Sequence, residues 1–342
     1  MTTALLRQRL AHYGELIQAG LLAALPTREP QRYLYGPIAE HLARRGKGLR
    51  PALCLATCGA FGGSEEEALK SAVALEMLHN AFLVHDDVED GSEFRRTQPT
   101  MMAQYGMPLA VNAGDALNML SLKLVRENLP MLGGPLTWRI IEEFEHLLLQ
   151  SLEGQAMELG WIRDNDITVT EADYLEMILK KTCWYSFIHP CRIGALIARK
   201  DQLDLNNFNR FGYFMGVAFQ IQDDVLNLVG DDKSYGKEIG GDLWEGKRTL
   251  MLVHLLQHAS HSEKERLECF LAQTRPQRGA NDVEWILERM THYGSITHAQ
   301  TVSERFVQAT LDAFEQAFAD AGPSEHRTFL SDLIGYMISR NS

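Results

Sequence analysis

The segment from Ser64 to Gly91 constrains the fold more than any other. Ser64 followed by Glu67 makes a capping box, and Glu65 and Glu66 suit the positive end of a helix dipole. Val73, Met77, Leu78, Phe82 and Leu83 then recur at helical spacing, and Gly91 ends the element. Such a helix is about 40 Å long. A second long helix is expected from Asn207 to Val229, with Phe211, Phe214, Ala218, Ile221, Val225 and Leu228 as its buried stripe. Further helices are expected near 3–22, 30–45, 49–61, 107–128, 136–160, 170–198, 247–258 and 302–320. No run alternates with a convincing strand period, and no repeat of solenoid length is visible. Gly133-Gly134, the segment 230–246 and the polar stretch 274–281 punctuate the chain, but none is long enough for a clear linker. The pattern predicts one all-α domain over residues 1–342.

Composition narrows the function classes. The 342 residues carry 33 Lys and Arg against 45 Asp and Glu, a net charge of −12. That balance argues against sequence-independent nucleic-acid binding, which needs an excess of cations over phosphate. The 45% hydrophobic content is enough for a sizeable core. The five cysteines are odd in number and form no CxxC pair, which fits reduced, mostly buried thiols and a cytoplasmic setting. Cys54 and Cys58 lie one helical turn apart, but nothing nearby completes a zinc site. The N-terminal stretch is amphipathic and charged throughout, unlike a signal peptide, and no apolar run reaches transmembrane length.

The chemistry sits at two helix ends. In Asp86-Asp87-Val88-Glu89-Asp90, Asp86 and Asp90 are one turn apart and share a face. Taken alone, such a cluster is more often a solvated acidic helix end. Here the apolar stretch Ala81-Phe82-Leu83-Val84 leads straight into it, at a helix terminus already negative, where carboxylates need a counter-ion. The geometry recurs in Phe219-Gln220-Ile221-Gln222-Asp223-Asp224-Val225-Leu226-Asn227, and the two ends are expected to face one cavity. Carboxylates, water and phosphates form the ligand set magnesium prefers. Basic residues accompany them: Arg95-Arg96 after the first cluster, Lys47 and Arg50 in RGKGLRP, Lys180-Lys181-Thr182, and Lys237 and Lys247 after the second. Each alone reads as a surface charge. Together they suit a diphosphate held by direct donors and metal bridges.

These residues resemble the trans-isoprenyl diphosphate synthase, or polyprenyl synthetase, family over roughly residues 40–255. GKGLRP is similar to the family's GGKRLRP, and HDDVEDGSEFRR to its first aspartate-rich motif. GDAL (114–117), GQAMEL (154–159) and KKT (180–182) each have a counterpart. FQIQDDVLNL with GKEIGGDLWEGKRT is similar to the second aspartate-rich motif and its lysine loop. The resemblance implies an isoprenoid-synthase bundle around a deep central cavity, a homodimer, and a magnesium-dependent prenyltransferase using three ions. It implies that Asp86, Asp87 and Asp90 hold magnesium, with Asp223 and Asp224 holding a further ion. Arg95, Lys181, Lys237 and Lys247 would contact the allylic diphosphate (dimethylallyl, geranyl or farnesyl). Lys47, Arg50, His79 and Arg96 would bind isopentenyl diphosphate. Thr182 and Gln220 would lie beside the carbon that becomes cationic, and Gln155 would support the acidic cluster. Without the resemblance, His79 reads as a core or helix-surface histidine.

Three departures from the pattern stand out. Asn227 replaces a frequent third aspartate, and Arg45 and Gly48 replace Gly and Arg of GGKRLRP. The third concerns chain length: the resemblance implies that side chains a turn or more before the first aspartate floor the product pocket, where the small Ala81 would permit growth past C15 and the bulky Phe82 would limit it, which favours a C20 product with C15 second. Two other readings compete. A class I terpene cyclase needs a second motif that Asp231 to Glu238 matches only with Ser234 out of register. A non-catalytic partner subunit would have lost part of an aspartate-rich motif, and here the first is complete.

Overall fold

The computed structural model describes residues 3–229 and 240–338. Its helices are α1 (Thr3–Ala24), α2 (Gly36–Ala43), α3 (Leu49–Ala60), α4 (Glu65–Glu89), α5 (Met101–Tyr105), α6 (Met107–Arg126), α7 (Leu129–Leu132), α8 (Gly134–Arg163), α9 (Glu171–Ile178), α10 (His189–Arg199), α11 (Asn207–Val229), α12 (Gly241–Glu245), α13 (Leu250–His258), α14 (His261–Leu271), α15 (Ala280–His292), α16 (Ser295–Ala317) and α17 (Glu325–Ile338). The all-α expectation holds, and the 64–90 helix forms with its capping box intact. Among the described residues the strands are β1 (Phe94–Arg95) and β2 (Gln98–Pro99), a minimal antiparallel pair just after the first acidic motif. Helices α5, α7, α12, α14, α15 and α17 are additional to those the periodicity predicts.

The chain divides into two compact units. The first comprises residues 1–147, 185–210 and 314–335; the second comprises 148–184, 211–313 and 336–342. In the first unit α4 packs against α3, α6 and α1, and α10 lies on α3. Its core includes Leu53, Leu55, Met77, Leu78, Leu117, Ile193 and Leu196, all essentially removed from solvent. Phe61 and Phe208 meet edge to face, and both ring-pack with Phe318. Each such ring buries a large apolar area and adds a directional contact.

The same unit also buries charge. Glu143 on α8 accepts two bonds from Arg192, both 2.7 Å, and one of 2.8 Å from His189 Nδ1. Burial alone would raise the Glu143 pKa, but those donors outweigh it and bring it down from 4.5 to about 2. His189 in turn meets His146 at 2.9 Å.

In the second unit α13 contacts α9 and α15. Its core includes Met215, Val217, Ile221, Leu250, Leu252, Phe270 and Ile286. Two arginines are buried there among carbonyl acceptors. Arg248 donates to the carbonyl of Asp166 and the side chain of Asn165, and Arg278 donates to the carbonyls of Trp244 and Leu271. Burial lowers the pKa of both, Arg248 to about 10. These guanidiniums tie down the segment that carries Lys247 through its carbonyls.

Candidate active site

In the first unit, the first acidic motif forms the last turn of α4, with Asp90 at its C-cap. Arg95 reaches back from β1 across two of its carboxylates: Nε donates to Asp87 at 2.7 Å and a terminal nitrogen to Asp86 at 2.8 Å. Burial works against the Arg95 charge, but Asp86 and Asp87 overcome it and raise the pKa. The like charges stacked at a negative helix end thus have a cation between them, as the electrostatics of that position requires. The GDAL motif lies alongside: the His85 ring packs onto Gly114, with its Nε2 3.5 Å from Asp115.

The basic residues of the same unit gather around Arg50, on the first turn of α3. Arg50 donates to His79 Nε2 at 3.2 Å, to the Tyr185 hydroxyl at 2.7 Å and to Ser186 Oγ at 2.8 Å. Its guanidinium also lies over the Tyr185 ring, 4.4 Å from the centroid. Burial first, and then the charges of Arg50, Arg96 and Arg95, push the His79 pKa well down, so the imidazole is neutral. Burial, with the charges of Arg44, Arg96 and Arg95, brings His41 to about 4. Arg96 sits in the β1–β2 turn at φ +53, donating to the Arg44 carbonyl at 3.1 Å. Lys47 lies on the exposed approach to α3. Gly48 adopts φ +58, ψ 33, a left-handed conformation that glycine takes at no steric cost, so its replacement of arginine has a backbone reason. Among the described residues, no partner meets the buried His79 Nδ1, Arg50 Nε or Glu76 Oε2. Burial raises the Glu76 pKa, and Arg50 and Arg96 pull it back. The two donors among these open atoms, His79 Nδ1 and Arg50 Nε, suit an anion that supplies the missing oxygens.

Tyr185 also meets Phe82 edge to face, with ring centroids 5.3 Å apart. Ala81 is completely buried one residue earlier. The motifs single out Phe82 and Arg50 but not the tyrosine that touches both. A tyrosine inside an apolar run carries no pattern that separates it from core.

In the second unit, Lys181 and Thr182 lie on the π-helical stretch Leu179–Ile188. Such widened turns recur at functional sites because they re-aim side chains. Lys181 bonds Glu158 of the GQAMEL motif, and Gln155 is half-buried one turn earlier on α8. A Cβ on Gly154 would run into the backbone of Lys181, so glycine is what lets α8 approach this stretch. Thr182 Oγ1 donates to Gln220 Oε1 at 3.0 Å, and Gln220 Nε2 donates to Asp224 Oδ1 at 2.8 Å. The Tyr174 hydroxyl bonds Asp224 Oδ2 at 2.7 Å. Burial, then Asp242, raise the Asp224 pKa to about 8 against the pull of Gln220 and Tyr174. Asp223, its neighbour on α11, is half-buried. Asn227 accepts from the Asp242 backbone N–H at 3.0 Å, so it anchors α12. Lys247 bonds Glu245 at 2.6 Å. Lys237 lies outside the described residues, as do Ser234 and the rest of the Asp231 to Glu238 stretch.

No three His, Cys, Asp or Glu side chains form a ready-made cage for a metal among the described residues. The donor set nonetheless fits magnesium, which takes one or two protein carboxylates and completes its shell with water and substrate phosphate.

Comparison with known proteins identifies the family. The sequence pattern of the family described as polyprenyl synthetase matches residues 31–290, beyond the expected 40–255 at both ends. The short chain isoprenyl diphosphate synthase of Methanothermobacter thermautotrophicus is 32% identical over 318 residues, covering 91% of this chain and 93% of its own. The geranylgeranyl diphosphate synthase of Saccharolobus solfataricus is 32% identical, covering 78% and 79%. Among solved structures, geranylgeranyl pyrophosphate synthetase from Pyrococcus horikoshii is similar with a TM-score of 0.85 at 30% identity, over 98% of this chain and 99% of that one. The chain belongs to the polyprenyl synthetase family. It is a trans-prenyltransferase, which sets aside the cyclase and non-catalytic alternatives.

Proposed function

We propose that the chain condenses isopentenyl diphosphate with an allylic diphosphate (dimethylallyl, geranyl or farnesyl) to a short-chain all-trans prenyl diphosphate, C20 in preference to C15. The observation that carries this reading is the Arg50 cluster, where neutral His79 and locked Arg50 leave buried donors without a partner among the described residues. Isopentenyl diphosphate would bind there through Lys47, Arg50, His79 and Arg96. The allylic diphosphate would take Arg95, Lys181, Lys237 and Lys247.

Asp86, Asp87, Asp90 and Asp223 would hold magnesium, with Asp224 beside them, and three ions are the expected complement. Bound magnesium would supply positive charge to the departing diphosphate. The lysines and Arg95 add direct donors aimed where that charge develops. The allylic C–O bond breaks and its electron pair leaves with the diphosphate. The isopentenyl alkene forms the new C–C bond at the allylic carbon, and the proton it then loses goes to the released diphosphate. Thr182 and Gln220 present oxygen dipoles to the cation, and apolar walls keep water from it.

The C20 preference draws on Ala81, fully buried, and Phe82, held by Tyr185. Relatives named for geranylgeranyl diphosphate point the same way. We further propose a homodimer, for which α6 exposes Val111 and Met119 and α8 exposes Trp138. A cytoplasmic location fits the free cysteines. No helix among the described residues is long and apolar enough to cross a membrane.

Incubation with labelled isopentenyl diphosphate, magnesium and each primer, followed by separation of the prenols by length, tests the reading. Magnesium-dependent C20 alcohol, lost in Asp86→Ala, is the expected result. A C15 stop would keep the reaction and shift the limit to Phe82. Absence of elongation with every primer would overturn the reading.

A further inference from the structure

We propose that Tyr174 is a positioning residue for prenyl transfer, fixing through Asp224 which end of the Gln220 amide faces Thr182. The inference rests on the function proposed above and adds a residue that no motif marks. Tyr174 is fully buried on α9, and its hydroxyl sits 2.7 Å from Asp224 Oδ2. The other carboxyl oxygen, Oδ1, takes the Gln220 Nε2 donor at 2.8 Å. The Gln220 oxygen is thereby turned to Thr182, which donates to it at 3.0 Å. One hydrogen-bonded chain thus runs from a buried phenol to the two side chains read as flanking the cationic carbon.

The orientation matters because an amide has two unlike ends. Its oxygen is the negative end of a dipole and favours a neighbouring cation, whereas its NH2 group opposes one. What holds the amide is the set of the Asp224 carboxyl. Tyr174 donates to Oδ2 and so keeps Oδ1 presented to the Gln220 NH2. Removing the phenol hydroxyl takes away the Oδ2 donor on α9, the carboxyl turns, and the Gln220 amide is no longer held with its oxygen on Thr182. Burial sharpens the choice, since an unmatched donor or acceptor there has no water to turn to.

The test is Tyr174→Phe, assayed in the full-length protein with isopentenyl diphosphate and the primer that the wild type elongates best. The expected result is a fall of about tenfold in kcat with both KM values within about twofold, because the step from bound substrate to cation is affected and binding is not. In a Gln220→Met background, the same tyrosine change should lower kcat by less than about twofold, since no amide is left to orient. Replacement of Tyr174 by 4-aminophenylalanine, which keeps ring, volume and a donor, should restore kcat to within about threefold of wild type and covers the case in which the phenylalanine variant does not fold. An equal kcat loss in both backgrounds would overturn the proposal, leaving Tyr174 a structural support. So would a Tyr174→Phe enzyme with wild-type kcat. A wild type that elongates no primer fails the proposed function itself, a result separate from either.

Discussion

Replacing Glu143 by glutamine removes a charge that balances Arg192 inside the first unit. The carboxylate accepts three bonds of 2.7–2.8 Å from Arg192 and His189. They hold its pKa at about 2 instead of 4.5. A tenfold change in a proton-binding constant corresponds to about 1.36 kcal/mol, so the ionised form contributes about 3 kcal/mol at neutral pH. Glutamine supplies one acceptor oxygen and turns an NH2 group toward existing donors, so the loss should reach at least that figure, the lower end of what breaking a buried pair costs. For a chain of this length that lowers Tm by about 4 °C. The sign with pH follows from a depressed carboxyl pKa. The stabilisation is complete above the unfolded value of 4.5 and disappears as pH falls through about 2. The gap between wild type and variant should therefore shrink to about 1 kcal/mol near pH ~3. Calorimetry or thermal circular dichroism at several pH values measures it. An unchanged Tm at neutral pH, or a gap that stays constant down to about pH 3, would refute the reasoning.

Arg50→Lys keeps the charge but loses the fork that reaches Tyr185, Ser186 and His79, so KM for isopentenyl diphosphate should rise by about tenfold or more while the primer's KM stays near wild type; steady-state kinetics with each substrate varied decides it. Phe82→Ala removes the ring held by Tyr185, and the product spectrum should move past C20, read by chromatography of the prenols. A Cβ in Gly154→Ala collides with the Lys181 backbone; the expected cost is about 1–3 kcal/mol in stability together with a lower kcat, and normal melting and kinetics would contradict the close approach.

The helices of this protein were legible in its sequence because each is written locally. Ser64 and Glu67 mark one start, and Val73, Met77 and Leu78 mark the stripe that α4 buries. The acidic and basic motifs were legible for a related reason: carboxylates one turn apart at a helix end, met twice and accompanied by basic residues, point to a cation and a phosphate where either cluster alone would not. Short helices such as α5, and α15 and α17 after the recognisable motifs, left weaker patterns because packing more than propensity stabilises them. Only the tertiary structure decided which partners the charges take. Arg95 reads as one of many surface cations until the β1–β2 pair folds it back onto Asp86 and Asp87. Gly48 reads as a defect in a basic motif until its left-handed φ is seen. Tyr174 and Tyr185 fall in no motif, and sequence separation hides that Tyr174, 50 residues from Asp224, and Tyr185, 135 from Arg50, bond those side chains. Hydrogen bonding is short-ranged and directional, so a polar atom acquires its role from the neighbour that folding brings within about 3 Å, and no periodicity along the chain encodes that meeting.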